Sequence, residues 1–425
     1  MGTAGNEGQM SGTAKRSSIY FVLITIFIDA MCYGLSGPVL PRLIMDIGNV
    51  DISRAIAIAG WMMLAFAGFQ FVMGPVIGNL SDRFGRRPIL LIALAGLTAN
   101  FILLAIAHSL PLLFLGQILA GMFGGTIGTC QAAIADMTAK EERAHNFSLM
   151  GAAFGVGFIV GPALGGLLSE LGQRMPFIAA ACLTASSFIF GWFAFPDTLA
   201  KEHRRAFDWR RANPLGAIQS MRKMPGIGAI LLVLMLWYVA VAVYPLTWPY
   251  FGIARFGWSN GMIGFSLVIV GILTATSQTF LTGKIVRRHG ERKAAIIGIS
   301  GAVATFLGYA FVTETWMAFA IMIGFVPQSL AGPALTALLS NRAGEDSQGE
   351  VQGMAAMAQG IGGVIAPLLI NPTMAYFTSP AAPFQFAGAG FMVACIFAAA
   401  ALIQLISLPR PKPGINRLDP GLTIH

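Results

Sequence analysis

The sequence predicts an all-α membrane protein: twelve transmembrane helices arranged as two pseudo-symmetric six-helix halves. Three observations carry this. Apolar residues make up 56% of the 425 positions and charged residues only 11%, which is more apolar surface than a water-soluble core can hide. The apolar residues fall into twelve runs, each near the ~20 residues that a spanning helix needs. Part of the first half returns in the second at one constant offset.

The runs lie at about 19–41, 56–78, 88–108, 110–135, 146–169, 175–195, 227–250, 260–283, 293–312, 316–339, 348–371 and 383–408. Residues 1–18 form a polar, glycine-rich tail and 409–425 a second tail. The first run is too long for a cleavable signal, and Asp29 interrupts it. The 51 Gly and 22 Pro suit helices that pack closely and bend in lipid. All four cysteines sit in apolar runs, so free thiols are expected.

Charge orients the chain. An even number of spans puts both termini on one side. With that side cytoplasmic, 23 of the 27 Lys and Arg fall in cytoplasmic segments, and only Arg42, Arg54, Arg174 and Arg255 lie outside. Positive loops are retained in the cytoplasm, so both termini are predicted inside. The net charge of +9 then reflects topology rather than nucleic-acid binding. The segment 196–226, with "KEHRRAFDWRR", is the basic cytoplasmic linker between halves 19–195 and 227–408.

The repeat holds one register. Adding 205 carries "GNLSDRFGRR" at Gly78 onto "GKIVRRHGER" at Gly283, and "GVGFIVGP" at Gly155 onto "GIGGVIAP" at Gly360, matching Pro162 with Pro367. Duplicated halves are common in transporters, with the substrate site near the midplane between them.

Individual residues suggest chemistry. Asp29 is the one acid well inside a predicted span. Taking a carboxylate out of water costs several kcal/mol unless it is protonated or paired, and a group that changes charge in mid-membrane is what proton coupling needs. The stretch from Gly78 crowds charge into a loop of about nine residues. Asp82 can cap the next helix or pair with an arginine across the half interface, while Arg86 and Arg87 can hold acids on neighbouring helices; Asp136 is one candidate partner. Gly155, Gly161, Gly165 and Gly166 trace one face of span 5 on which another helix can approach, and Pro162 bends that helix. Tyr33, Gln70, Asn100, Gln117, Gln131, Trp237, Gln278 and Gln328 are candidate cavity residues, an amide and aromatic set suited to a bulky amphipathic ligand. Nucleotide-loop, metal-cluster and Ser–His–Asp patterns are missing from the sequence, so neither an enzyme nor a metal or organic cofactor is expected.

These motifs resemble a known family. "GNLSDRFGRRP" is similar to the signature that follows the second span of major facilitator superfamily transporters, and "GVGFIVGPALGG" to the span-five signature of drug/proton antiporters. "FIDAMCYGLSGPVLPRL", "AAIADMTAKEERA", "RFGWSNGMIGFSL" and "GPALTALLS" resemble the tetracycline/proton antiporters, and the likeness runs from about Tyr20 to Pro409. The resemblance implies a monomeric inner-membrane exporter driven by the proton gradient. It assigns Asp29 to coupling and the set Gly78, Asp82, Arg83, Gly85, Arg86 and Arg87 to a cytoplasmic latch, and it makes the span-five face a periplasmic seal. It also exposes departures. Asn100 stands where those pumps carry an acid, Gln117 where they carry an arginine and Thr274 where they carry a histidine, and "GISGAVATF" lacks their span-nine acid. Loss of the first two together removes a pair of opposite charges and leaves neither buried alone. The expected activity is therefore proton-coupled export of amphipathic small molecules, with tetracycline itself disfavoured. A facilitator or proton symporter importing a metabolite is the alternative, and a non-transporting membrane receptor a remote one.

Overall fold

The computed structural model describes residues 12–200, 202, 204–208, 227–341 and 348–409. The remainder of the two predicted tails and most of the linker lie outside the described residues. Among the described residues, twelve helices are long and apolar enough to cross a membrane: Ser18–Ser36, Ile52–Phe84, Arg86–Ile106, Leu110–Met137, His145–Leu171, Met175–Ala194, Ile227–Phe256, Asn260–His289, Glu291–Phe311, Thr315–Ser340, Val351–Thr378 and Ala389–Ser407. They are called spans 1 to 12. The end of the bundle that carries the basic connections is called the basic end, and its opposite the far end.

Each predicted run overlaps its own span, and spans 2, 7 and 8 are several residues longer than their apolar stretches; span 1 ends at Ser36 where the run was expected to reach 41, span 11 reaches Thr378 rather than 371, and span 12 starts at Ala389 rather than 383. The expected nine-residue loop after span 2 is not a loop. Span 2 stays helical to Phe84 and span 3 begins at Arg86, leaving Gly85 alone as the break, at φ +103°. The extension Asn79–Phe84 contains no Pro or Gly, and its contacts with Arg86 and Asp208 hold it helical despite the modest propensity of Asn79, Ser81 and Asp82. Only the residue free to take positive φ interrupts it.

Local signals explain the ends. Asp51 caps span 2, accepting from the backbone N–H of Arg54 at 2.8 Å and from the Ser53 hydroxyl at 3.0 Å. These bonds to its charged form hold the carboxyl below the usual range. Ser259 caps span 8 in the same manner. Span 4 breaks at Gly124–Gly125 into Leu110–Phe123 and Thr126–Met137. Span 8 contains a π-helical turn at Gln278–Thr282, and span 10 a 3₁₀ turn at Met322–Gly324.

Within the first half, span 1 packs on spans 5 and 6 and on the second part of span 4, while span 3 packs on spans 4 and 6. The second half repeats the plan: span 7 lies against spans 10, 11 and 12, and span 9 against spans 10 and 12. The halves meet along two seams, span 2 with span 11 and span 5 with span 8.

The repeat is visible in side-chain roles. Arg87 at the start of span 3 donates to the carbonyl of Trp192 near the end of span 6. Its mate at the offset of 205, Arg292 in span 9, donates to Leu405, Ile406 and Leu408 near the end of span 12. Each arginine staples the first helix of its pair to the carbonyl end of the last.

Glycine sets how closely span 5 is approached. A Cβ on Gly157, Gly161 or Gly165 would strike the carbonyl oxygens of Phe27, Met31 and Leu35 of span 1, so this strip of spacing four lets two backbones touch. Gly157 belongs to the strip, whereas a methyl added to Gly155, which was predicted to belong, would meet nothing within 4 Å. Gly161→Ala is expected to cost about 1–3 kcal/mol through overpacking, and Gly155→Ala close to nothing. Thermal unfolding of the two purified variants, compared with the parent, measures the difference.

Candidate functional site

Asp29 lies half-buried in the middle of span 1. Its Oδ2 accepts from the Thr126 hydroxyl at 2.7 Å, and its Oδ1 has no partner among the described residues. Thr126 is the first residue of the second part of span 4, whose N-terminus has no side-chain cap. The carboxylate therefore sits at the positive end of a broken helix. It does not cap a break in its own helix, which runs without interruption to Ser36. Gln70 of span 2 reaches the same break from another side, its Nε2 3.3 Å from where a Cβ on Gly124 would stand. Thr126 was not a candidate in the sequence; the Gly-Gly pair just before it is the signal that could have found it.

The other predicted cavity residues separate into two groups. Tyr33 is 48% exposed and stacks on Phe158 of span 5 at 6.4 Å between ring centres. Gln70, Gln131 and Gln278 are exposed and Gln117 is half-buried. Asn100, Trp237 and Gln328 are buried, which corrects the expectation that they line an open cavity. Asn100 packs against Gly116 of span 4, next in sequence to Gln117, so the two positions where the resembled pumps carry opposite charges are neighbours. Gln328 accepts from the Tyr244 hydroxyl at 2.9 Å. That tyrosine belongs to an aromatic core with Trp248, Phe306, Phe325 and Phe391. Amides in spans satisfy one another across helices as readily as they face a ligand.

At the basic end, Arg86 gathers three partners of its own half. Its Nη1 donates to Asp82 at 2.7 Å and to Ser81 at 2.8 Å, and its Nε to Asp136 at 2.9 Å. Asp82 thus pairs within its half, not across the interface and not as a helix cap. The cap of span 3 is Asp197, just after span 6. Its Oδ1 accepts from the Arg86 N–H at 2.9 Å, and its Oδ2 accepts from Arg204 at 2.6 Å. A Cβ on Gly85 would collide with this carboxylate. Arg87 holds the Trp192 carbonyl and, among the described residues, no acid, while Arg83 is exposed with its guanidinium 5.0 Å over the Phe84 ring. The linker returns to the same place: the Arg205 N–H donates to the Asp82 carbonyl at 3.1 Å, and Asn79 donates to the Asp208 carbonyl at 2.6 Å. Asp197 escapes sequence reasoning because nothing local marks a residue 111 positions from its partner.

The two halves close on each other at the far end. Gly166 of span 5 lies against Gly261 of span 8, with 3.0 Å between an added Cβ and the Gly261 Cα. At the offset of 205 the equivalents reverse roles: Asn371 of span 11 donates to the Ile56 carbonyl of span 2 at 3.2 Å. Gly60 lets Asn371 in, and Gly264 lets the Pro162 carbonyl in. Arg42 adds a bond to the Trp258 carbonyl at 2.9 Å. In each seam one buried amide oxygen, Asn371 Oδ1 or Asn260 Oδ1, has no hydrogen-bond partner among the described residues. At the basic end the seams part: methyls added to Gly74 and Gly78 of span 2, Gly151 and Gly155 of span 5 and Gly353 of span 11 would meet nothing within 4 Å. The bundle is shut at the far end and open at the basic end.

The family model for the Major Facilitator Superfamily matches residues 22–367. The chain belongs to that superfamily. It is a multi-pass membrane transporter and not an enzyme, and it is related to the tetracycline resistance proteins. It is 38% identical to the class C tetracycline resistance protein of Escherichia coli, over 84% of this chain and 89% of that one. It is 35% identical to the class B protein of Escherichia coli, over 83% and 87%. It is also 26% identical to the quinolone resistance protein NorA of Staphylococcus aureus (strain COL), over 83% and 88%. Among solved structures, a bacterial homologue of the human lysosomal transporter Spinster, inward-facing and occupied, matches with a TM-score of 0.74 at 13% identity, covering 93% of this chain and 97% of that one. That likeness speaks for the fold.

The Arg86 cluster gives a prediction for this transporter. Arg86→Ala is expected to cost roughly 3 kcal/mol, mostly through Asp136 left without its partner. The Asp82 pair is half-exposed, with 42% of that side chain accessible, and contributes under about 0.5 kcal/mol. Unfolding of Arg86→Ala and Asp82→Asn in detergent should show a large loss for the first and a small one for the second.

Proposed function

We propose that the chain is a proton-coupled exporter of small amphipathic molecules in the bacterial inner membrane, with the basic end cytoplasmic and alternating access produced by one half rocking against the other. The observation that carries this reading is the placement of Asp29. Its carboxylate has one oxygen on Thr126 and one free, at a helix N-terminus in mid-membrane. Burial opposes the charge, while the hydroxyl and the helix end support it. A site poised between these influences can take a proton in one access state and release it in the other. A cationic or polar substrate group arriving from the cytoplasm would compete for the free oxygen, which is the exclusion that antiport requires.

The relatives, by name tetracycline and quinolone resistance proteins, support drugs as the substrates, and the exposed aromatic and amide side chains of Tyr33, Gln70 and Gln131 suit an amphipathic ligand. Neutral Asn100 and Gln117 remove the charged pair of the tetracycline pumps and favour a substrate other than tetracycline. Inverted vesicles carrying wild-type protein are expected to accumulate an amphipathic cationic dye, such as ethidium, under an imposed proton gradient. Asp29→Asn should abolish gradient-driven accumulation yet keep substrate exchange at equal pH. Full gradient-driven uptake by Asp29→Asn would remove Asp29 from the mechanism, and accumulation in the opposite sense would favour an importer.

A further inference from the structure

A cavity of about 670 Å³ opens on the outer wall of the first half, between spans 3 and 6 at the basic end. Its walls are Leu91 and Ile92 of span 3 and Phe188 and Trp192 of span 6, and Arg87 and Asp197 stand at its mouth. Neither span belongs to the seams between halves. Ile92 is 56% and Trp192 55% exposed, so the opening faces the surrounding bilayer. A tryptophan at this level marks the lipid headgroup zone.

The charges at the mouth are unequal. Asp197 is fully engaged by the Arg86 and Leu199 N–H groups and by the Arg204 guanidinium. Arg87 has no carboxylate partner among the described residues; one nitrogen donates to the Trp192 carbonyl, and its buried Nε has no acceptor. The first half thus keeps spare donors beside an apolar slot that opens to lipid. A guanidinium matches a phosphate, and the apolar walls match an acyl chain.

We propose that this groove binds an anionic phospholipid, its phosphate on Arg87 and an acyl chain along Leu91, Ile92 and Phe188. The ligand class is a phosphodiester lipid with no compensating amine, of the phosphatidylglycerol type. It occupies the leaflet at the basic end, and its site is separate from the path through the bundle.

The test is native mass spectrometry of the intact purified protein titrated with phosphatidylglycerol or phosphatidylcholine, alongside thermal unfolding with each lipid and with inorganic phosphate alone. Wild type should retain phosphatidylglycerol preferentially and gain thermal stability from it. Arg87→Gln should weaken that binding roughly fivefold, as for one basic residue at a membrane surface. Arg87 also staples span 6, so Leu91→Trp serves as a second variant: it fills the slot, leaves the arginine in place and should lose the lipid as well. Lys284→Gln, an exposed cation at the basic end of the other half, should bind as wild type does. Equal retention of both lipids by wild type, unchanged phosphatidylglycerol binding in Leu91→Trp, or the same stabilisation by inorganic phosphate alone would each overturn the proposal.

Discussion

The close approach of span 5 to its two neighbours is the constraint on which the rest of the structure depends. One strip of glycines brings it onto the backbone of span 1 in its own half, and Gly166 with the Pro162 carbonyl brings it onto span 8 of the other. Interiors in lipid gain little from burying apolar surface, so contact at van der Waals distance is what holds such helices together. The same helix therefore anchors its own half and serves as a bearing against the opposite one. Spans 2 and 11 form the second bearing with the roles of the repeat exchanged. With two bearings at the far end and none at the basic end, the halves can pivot without either being rebuilt.

A second organisation holds the first half rigid during such a pivot. Arg86 ties the ends of spans 2 and 4 together, and Asp197 ties span 3 to the segment after span 6. Gly85 makes room for that carboxylate. The described part of the linker is bonded to this cluster through Arg205 and Asp208. The described part of the linker thereby shares hydrogen bonds with Asn79 and Asp82 of the signature stretch.

Much of the fold was legible because the bilayer imposes it. Span length and the sign of the loop charges follow from membrane thickness and potential, not from packing detail. The offset of 205 also reached further than its motifs, since it pairs Gly166 with Asn371. What stayed hidden depends on tertiary neighbours. Asp197 is an ordinary linker acid until Gly85 lies beside it. Asn100, Trp237 and Gln328 resembled ligand contacts because an amide or indole in a span carries the same signal whether it meets a substrate or another helix. Gly155 looked like a packing residue because spacing alone cannot say which face of span 5 carries the strip. Asp29 was conspicuous, but its partner Thr126 was not, because a threonine hydroxyl can bond its own helix and needs no explanation.

The orphaned amide oxygens of Asn371 and Asn260 have a consequence for timing. Each buried acceptor left unmade costs about 1–3 kcal/mol, and both lie where the halves meet at the far end. These contacts therefore hold the far end less tightly than a fully bonded seam would. A seam with every group satisfied would hold the far end closed more firmly and make each opening slower. In the proposed rocking cycle, the incomplete hydrogen bonding at these two asparagines would lower the cost of parting the halves at the far end.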